Sequence, residues 1–190
     1  MDIKPLNIAG AWSVTPKVHG DVRGSFAEWF RVDQLEDIAG FRFSPVQGNI
    51  SRSAKGVVRG IHYADVPPGQ AKYVMPVSGS IIDFVVDIRV GSPTFGQWDS
   101  VTLHSERREA ILHEPGLGHA FVALDDETTV TYLVTDVFRP EREHGINPLD
   151  PEIGLVFPAG LELLLSDKDT AAPSLAEALA ASALPIWQTP

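Results

Sequence analysis

Short runs of β-branched and aromatic residues recur through the middle of the chain, about one run in every ten residues. They occupy residues 81–89, 97–103, 120–124 and 128–134. Turn-forming segments separate them, at Gly79, 91–96, 115–118 and 125–126. Many short strands divided by turns at this spacing are typical of sandwiches and jelly-roll barrels. The pattern therefore predicts an all-β fold.

Helical periodicity is confined to two segments, residues 32–39 and the alanine-rich residues 174–183. The second opens on Ser174, with Glu177 three residues later, which is the pattern of a capping box. We therefore expect a jelly-roll barrel with short flanking helices and a C-terminal helical segment.

A guanidinium, an imidazole and an amine come close together in the sequence, as Arg59, His62 and Lys72. They lie on two apolar-rich runs, 56–63 and 71–77, and the prolines and glycine at 67–69 predict that these runs pair as a hairpin. Such a set favours an anionic ligand and proton-transfer chemistry. Strand alternation sends Arg59 and His62 to opposite faces, so a shared pocket requires a twist or a bulge between them.

The chain has 190 residues, of which 44% are hydrophobic, and no cysteine. This size favours one domain, 1–190, with 159–190 as a tail that packs on the barrel. The lack of cysteine excludes disulfides and thiolate zinc sites, and we see no signal peptide or long apolar span, so we expect a cytoplasmic protein without a membrane partner. A net charge of -10 argues against a nucleic-acid partner.

Jelly-roll barrels of the cupin type often hold a metal with three histidines and a glutamate. Here Ala64 stands where the second histidine of a His-x-His pair would follow His62, and Lys72 stands at the carboxylate position seven residues before Gly79. Because an ammonium repels a divalent cation, we predict no metal site.

Several motifs occur in order along residues 3–185: DVRG at 21–24, followed by Phe26 and Glu28; QGN at 47–49; GVVRGIH at 56–62; PPGQAKY at 67–73; DFVVDIR at 83–89; GSPTFG at 91–96; GHAF at 118–121; Tyr132; DP at 150–151; and LSDKD at 165–169. In this set the chain resembles the dTDP-4-dehydrorhamnose 3,5-epimerase family and its relatives, the 3-epimerases of deoxysugar pathways. The resemblance implies a cupin barrel, usually a homodimer, that acts on a dTDP-4-keto-6-deoxyhexose without a metal or organic cofactor.

The resemblance also implies four catalytic roles. His62 is the base, Asp169 orients and charges its imidazole, Lys72 stabilises the enolate, and Tyr132 is the acid on the opposite face. Each residue taken alone also suits a structural role: a strand-end histidine, a solvated lysine, a packed tyrosine and a helix cap. Asp169 is preferred over its neighbour Asp167 because the family aspartate follows the lysine.

Arginine forks match phosphate oxygens, so Arg23 and Arg59 are the candidates for the diphosphate. We expect Asp83 to sit behind Lys72 as its carboxylate partner, which keeps the amine charged and aimed. The remaining residues that the resemblance places near the substrate are Phe26, Glu28, Gln47, Asn49, Ser51, His119, Phe138 and Lys168.

One position departs from the family pattern, because Phe138 stands where many members carry a second tyrosine. The lost hydroxyl leaves a 3,5-epimerase and a single-centre 3- or 5-epimerase open. A nucleotide-sugar 3,4-ketoisomerase or a sugar-binding cupin is a separate alternative from another class, disfavoured because no second histidine beside His62 suits a ketoisomerase. The N-terminal residues 1–15 could pair across a subunit interface or fold onto their own barrel.

Overall fold

The alternating segments of the chain pair into two large antiparallel sheets and one isolated hairpin. The computed structural model describes residues 1–188. Its strands are β1 (Asp2–Pro5), β2 (Ala11–Thr15), β3 (Val18–Asp21), β4 (Gly24–Ala27), β5 (Gln47–Ser53), β6 (Val58–Ala64), β7 (Lys72–Ser78), β8 (Ser80–Val86), β9 (Trp98–His104), β10 (Ala110–His113), β11 (Gly118–Ala123), β12 (Thr128–Val134) and β13 (Glu143–Gly145). Its helices are α1 (Val32–Ala39), α2 (Asp167–Thr170) and α3 (Leu175–Ala180).

The first sheet has the order β1-β2-β10-β7-β12-β5 and the second the order β13-β6-β11-β8-β9, while β3 and β4 pair only with each other. Inward side chains of both sheets form one apolar cluster, which includes Val74 and Ile111 from the first and Val85 and Phe121 from the second. The sheets therefore face each other across a shared interior, as in a double-sheet jelly roll. This confirms the predicted all-β class.

Two further apolar clusters lie on the outer faces of the sheets. Leu35 of α1 packs with Phe43 and Tyr73 outside the first sheet. Leu175 and Ala178 of α3 pack with Phe84 outside the second. Helices thus cover both sheets from outside, and the interior stays open to side chains from the strands.

The helix predictions are close to what the structure contains. Helix α1 spans the predicted 32–39, and α3 ends three residues earlier than predicted. Ser174 and Glu177 form the expected capping box. Of the predicted C-terminal tail, 159–190, the last two residues lie outside the described part of the chain.

The predicted hairpin between 56–63 and 71–77 is wrong. Strand β6 lies in the five-stranded sheet and β7 in the six-stranded sheet. Pro67 and Pro68 lack the amide hydrogens that a strand ladder needs, and the chain crosses here from one sheet to the other. The consequence is that His62 and Lys72 reach the interior from opposite walls.

The N-terminal strands fold onto their own barrel, since β2 pairs with β10 and β1 pairs with β2. In the described residues, 1–188, no helix is long and apolar enough to cross a membrane.

Candidate active site

The interior between the sheets is apolar over one part and polar over the other. The polar part opens into a cavity of about 400 Å³, within the roughly 300–1,000 Å³ that small-molecule sites occupy. Its lining residues are Gln47, Asn49, His62, Gln70, Lys72, Tyr132, Phe138, Glu143, His144 and Lys168. A smaller recess shares His62, Lys72 and Tyr132 with it and adds Ser51, Arg59, Val74, His119 and Phe121.

A bulge brings Arg59 and His62 to the same face of β6. His62 pairs with His119 of β11, whereas Arg59 pairs with Phe121, so β6 carries one more residue than β11 between these two pairs. Both side chains line the inner recess. The bulge that strand alternation predicted between Arg59 and His62 is therefore present.

His62 is held by a buried carboxylate. Its Nε2 lies 2.7 Å from Oδ1 of Asp169, which is 5% exposed. Burial works to raise the pKa of Asp169, but hydrogen bonds from His62 and Ser166 outweigh it and hold that pKa below its usual value. A carboxylate only accepts, so Nε2 carries the proton and Nδ1 keeps the basic lone pair. The exposed neighbour Asp167 has no part in this contact.

Asp169 reaches His62 because α2 begins immediately before it. Ser166 caps the helix, and its hydroxyl accepts from the Asp169 amide and donates to the Asp169 carboxylate. Both contacts fix the carboxylate before any ligand binds.

Lys72 is 7% exposed and lines both parts of the cavity. Within residues 1–188 its amine forms no hydrogen bond and no ion pair shorter than 4 Å. Burial lowers its pKa, against the opposing pull of Glu143 and Asp83. The amine is thus an unengaged donor facing the cavity.

Asp83 has a different direct partner from the one expected. Its two carboxylate oxygens lie 3.0 and 2.8 Å from Nε2 of His119. No direct contact with Lys72 forms in the described residues, but the Asp83 charge raises the pKa of Lys72 and so favours the charged amine, as expected. Burial raises the pKa of Asp83 and lowers that of His119, and Lys72 lowers both. We assign a neutral His119 ring that donates Nε2–H to Asp83, because the nearby ammonium favours the carboxylate and disfavours a second cation.

Tyr132 faces the cavity from β12 of the six-stranded sheet, whereas His62 faces it from the five-stranded sheet. Burial raises the pKa of Tyr132, and this effect is larger than the opposing effect of the Arg59 charge. The phenol therefore keeps its proton near neutral pH and can serve as a donor.

Strand β5 contributes Gln47, Asn49 and Ser51, whose alternation puts them on the inner face. The Gln47 amide donates to Asn49 Oδ1 at 2.8 Å. The buried Ser51 hydroxyl lacks a hydrogen-bond partner among the described residues. Phe138 lines the mouth and is 57% exposed, and its amide donates to Gln47.

Three polar lining residues were not predicted as site residues: Gln70, Glu143 and His144. The Gln70 amide donates to Glu143 at 3.1 Å, and His144 pairs with Asp65 at 2.6 Å. Gln70 had a signal, since it stands two residues before Lys72. Glu143 and His144 lie on the three-residue strand β13, which is too short to show a periodicity.

Arg23, Phe26 and Glu28 are not brought into this cavity. Arg23 and Phe26 lie on the β3–β4 hairpin and line a separate surface depression. Phe26 is 72% exposed, Arg23 pairs with Asp21, and Glu28 contacts Arg31. In this chain these residues face solvent.

A barrel whose opposite walls present a carboxylate-bound imidazole and a protonated phenol, with a free amine in the same cavity, suits an acid–base isomerase. No group of three or more His, Asp or Glu in residues 1–188 is arranged to hold a metal ion.

Comparison with known proteins gives the particular family. The family model described as dTDP-4-dehydrorhamnose 3,5-epimerase matches residues 5–177. A dTDP-4-dehydrorhamnose 3,5-epimerase of Mycolicibacterium smegmatis is 54% identical, over 98% of this chain and 92% of that protein. The solved structure of the Mycobacterium tuberculosis rmlC epimerase is 46% identical with a TM-score of 0.96, over 98% of this chain and 94% of that one.

A second solved structure is a 3'-monoepimerase from Streptomyces bikiniensis in complex with dTDP-quinovose. It is 47% identical with a TM-score of 0.93, over 96% of this chain and 92% of that one. The chain belongs to the dTDP-4-dehydrorhamnose 3,5-epimerase family, whose members are isomerases with a cupin-like jelly-roll fold. The predicted family, fold and enzyme class are confirmed.

Proposed function

We propose that this enzyme inverts C3 and C5 of a dTDP-4-keto-6-deoxyhexose through an enolate. The observation that carries the proposal is the placement of His62 with Asp169 on one wall of the cavity and of Tyr132 on the other. Inversion needs a base and an acid on opposite faces of the same carbon, and the two sheets supply one each.

His62 is the proposed base. Its Nδ1 takes the proton from the carbon beside the ketone, and the ionised Asp169 stabilises the imidazolium that forms. The low pKa of Asp169 supports this role, because a carboxylate that holds no proton can stabilise a positive ring.

Lys72 is proposed to stabilise the enolate. The C–H electron pair forms the C=C bond of the enolate, and the π pair of the carbonyl moves onto its oxygen, which becomes negative where an ammonium can meet it. Lys72 suits this task because its amine is unengaged within the described residues and faces the cavity. Tyr132 then delivers its proton to the opposite face of the carbon, which completes the inversion.

The smaller recess and the adjoining wall of the wider cavity are proposed to hold the nucleotide end of the substrate. Arg59 is a donor fork for the diphosphate, and the unpartnered Ser51 hydroxyl lies in the same recess. Gln47, Asn49 and Lys168 line the wider cavity, and His119 lies beside the sugar position.

We further propose that the enzyme is a homodimer. Arg23, Phe26 and Glu28 face solvent here, although the resemblance assigns them to the substrate. A second copy could bring this hairpin to the neighbouring cavity, which would give an exposed phenylalanine and an arginine a ligand. The single epimerase domain, 1–190, and the cytoplasmic location stay predictions.

A single-centre epimerase is the second candidate. Phe138 places a ring without a hydroxyl at the mouth of the cavity, so a hydrogen bond available to a tyrosine is missing there. The 3'-monoepimerase that resembles this chain shows that the family includes such enzymes.

The substitution His62→Ala tests the proposed base. We expect turnover of dTDP-4-keto-6-deoxyglucose to vanish while dTDP binding, measured by calorimetry, is retained. Retained turnover would show that another group removes the proton.

A further inference from the structure

A histidine that the proposed reaction does not use lies behind Lys72. His113 is fully buried at the end of β10. Its Nδ1 lies 3.3 Å from the carbonyl oxygen of Glu114, so Nδ1 carries the hydrogen. Its Nε2 is buried without a hydrogen-bond partner among the described residues. Buried polar atoms in native proteins are nearly always paired, so this bare acceptor calls for an explanation.

Lys72 is the donor best placed to reach Nε2. His113 and Lys72 are direct cross-strand partners of β10 and β7, and such partners project their side chains to the same face of the sheet. The Lys72 amine has three hydrogens and no partner within residues 1–188.

His119 cannot take this place. Its ring stacks on His113 with 5.1 Å between the ring centroids and 28° between the planes. A stacked ring presents its face rather than an N–H to the in-plane lone pair. The His119 Nε2 is also engaged by Asp83.

The surroundings keep His113 neutral. Burial, His119 and Lys72 hold its pKa well below the usual value. A neutral ring with hydrogen on Nδ1 leaves a lone pair on Nε2 throughout the working pH range.

We propose that His113 is a positioning residue for Lys72: its Nε2 accepts a hydrogen bond from the ammonium, directly or through one buried water. The contact holds the amine on the closed side of the cavity and leaves its other hydrogens for the enolate oxygen. This inference rests on the proposed role of Lys72.

Several charged or titratable groups face Lys72 besides His113. Glu143 of β13 and Asp83 of β8 favour its charged form. His62, Arg59, His119, Tyr132 and Lys168 share its cavity. Unlike these groups, His113 is a neutral acceptor directly opposite Lys72 on a paired strand. Its removal should therefore make the ammonium easier to deprotonate.

The test compares two substitutions. His113→Leu removes the acceptor, whereas His113→Gln places an amide oxygen near the position of Nε2. For His113→Leu we expect the alkaline limb of the kcat/KM profile to move down by about one pH unit, which lowers kcat/KM about tenfold on that limb. His113→Gln should restore most of the profile. Leu112→Met, on the opposite face of β10, is the control and should leave the profile unchanged.

An unchanged profile in His113→Leu would overturn the proposal, and so would a loss that His113→Gln does not restore. Lys72→Met tests the proposed role of Lys72 separately from that of His113. If this variant keeps its turnover, Lys72 does not stabilise the enolate. A ¹⁵N NMR spectrum of the unsubstituted enzyme gives an independent check. We expect hydrogen on Nδ1 of His113 at neutral pH, and hydrogen on Nε2 would contradict the assignment.

Discussion

At the scale of single residues, the site holds His62 and His119 by one ring nitrogen each and leaves the amine of Lys72 unengaged among the described residues. Asp169 engages Nε2 of His62 and Asp83 engages Nε2 of His119, while the Lys72 amine has no partner within the described residues. Burial strengthens these contacts because little water competes for them. The protonation states of the site therefore follow from contacts that exist before substrate arrives.

The substitution Asp169→Asn tests this arrangement. An amide can donate to Nε2 and stabilise the wrong tautomer of His62, so we expect kcat to fall by at least about 100-fold in steady-state kinetics. Asp167→Asn is the matched control, because Asp167 is the exposed acid two residues earlier. Equal losses in the two variants would show that the effect is not specific to the His62 contact.

At the scale of elements, local signals predicted local structure well. The capping pattern at Ser174 and the alternation in 128–134 mark real elements, α3 and β12. The pairing of β6 with β7 failed because partners in a sheet are chosen by the whole fold rather than by the connecting turn. The direct partner of Asp83 was missed for the same reason, since His119 of the neighbouring strand β11 forms the hydrogen bond.

The site, like the strand pairing, could be predicted only where the signal lies in one short segment of the sequence. The family motifs supplied most of the cavity residues, including His62, Lys72 and Tyr132. They could not show that Arg23 lies on a separate hairpin, or that Glu143 lines the cavity. Those facts depend on contacts between distant segments.

The substitution Ser174→Ala tests the contribution of one helix cap. It removes the hydroxyl that accepts from the Glu177 amide, and we expect a loss of about 1 kcal/mol in the free energy of unfolding by urea. Ser174→Thr keeps the oxygen and should lose less. Equal losses for both substitutions would argue against capping as the cause.

At the scale of the whole molecule, one buried ion cluster joins distant parts of the chain. Arg89 is 4% exposed and donates to Asp87 at 2.8 and 2.9 Å and to the carbonyl of Ala9 at 2.9 Å. It also pairs with Glu114 and lies over the ring of Trp187 at 4.2 Å. The cluster therefore ties the C-terminal segment to the barrel.

Arg89→Met should destabilise the fold strongly, because it leaves the buried Asp87 carboxylate without its cation. We expect a loss of about 3–5 kcal/mol in the free energy of unfolding. Arg107→Met breaks the pair of the exposed Arg107 with the partly buried Glu109, and because solvent screens the guanidinium it should cost only about 1 kcal/mol. Similar losses in the two variants would contradict the structural importance of the cluster.

The same cluster predicts how stability depends on pH. Burial works to raise the pKa of Asp87, but hydrogen bonds from Arg89, Ser92 and Thr94 prevail and lower it. The folded protein thus binds this proton less readily than the unfolded chain does. The contribution of the Asp87 carboxylate to the free energy of unfolding should be present above about pH 4. It should be lost as the pH drops through the pKa of Asp87 in the folded protein. Thermal unfolding between pH 3 and 7 measures this, and a Tm that rises on acidification would contradict it.

The most direct test of the central claim is proton exchange at the sugar. The purified enzyme is incubated with dTDP-4-keto-6-deoxyglucose in deuterated water, and proton NMR locates the deuterium. The account predicts deuterium at both C3 and C5, with inversion at each centre. Exchange at one centre alone would establish the single-centre epimerase instead, and no exchange at either centre would contradict the proposed reaction.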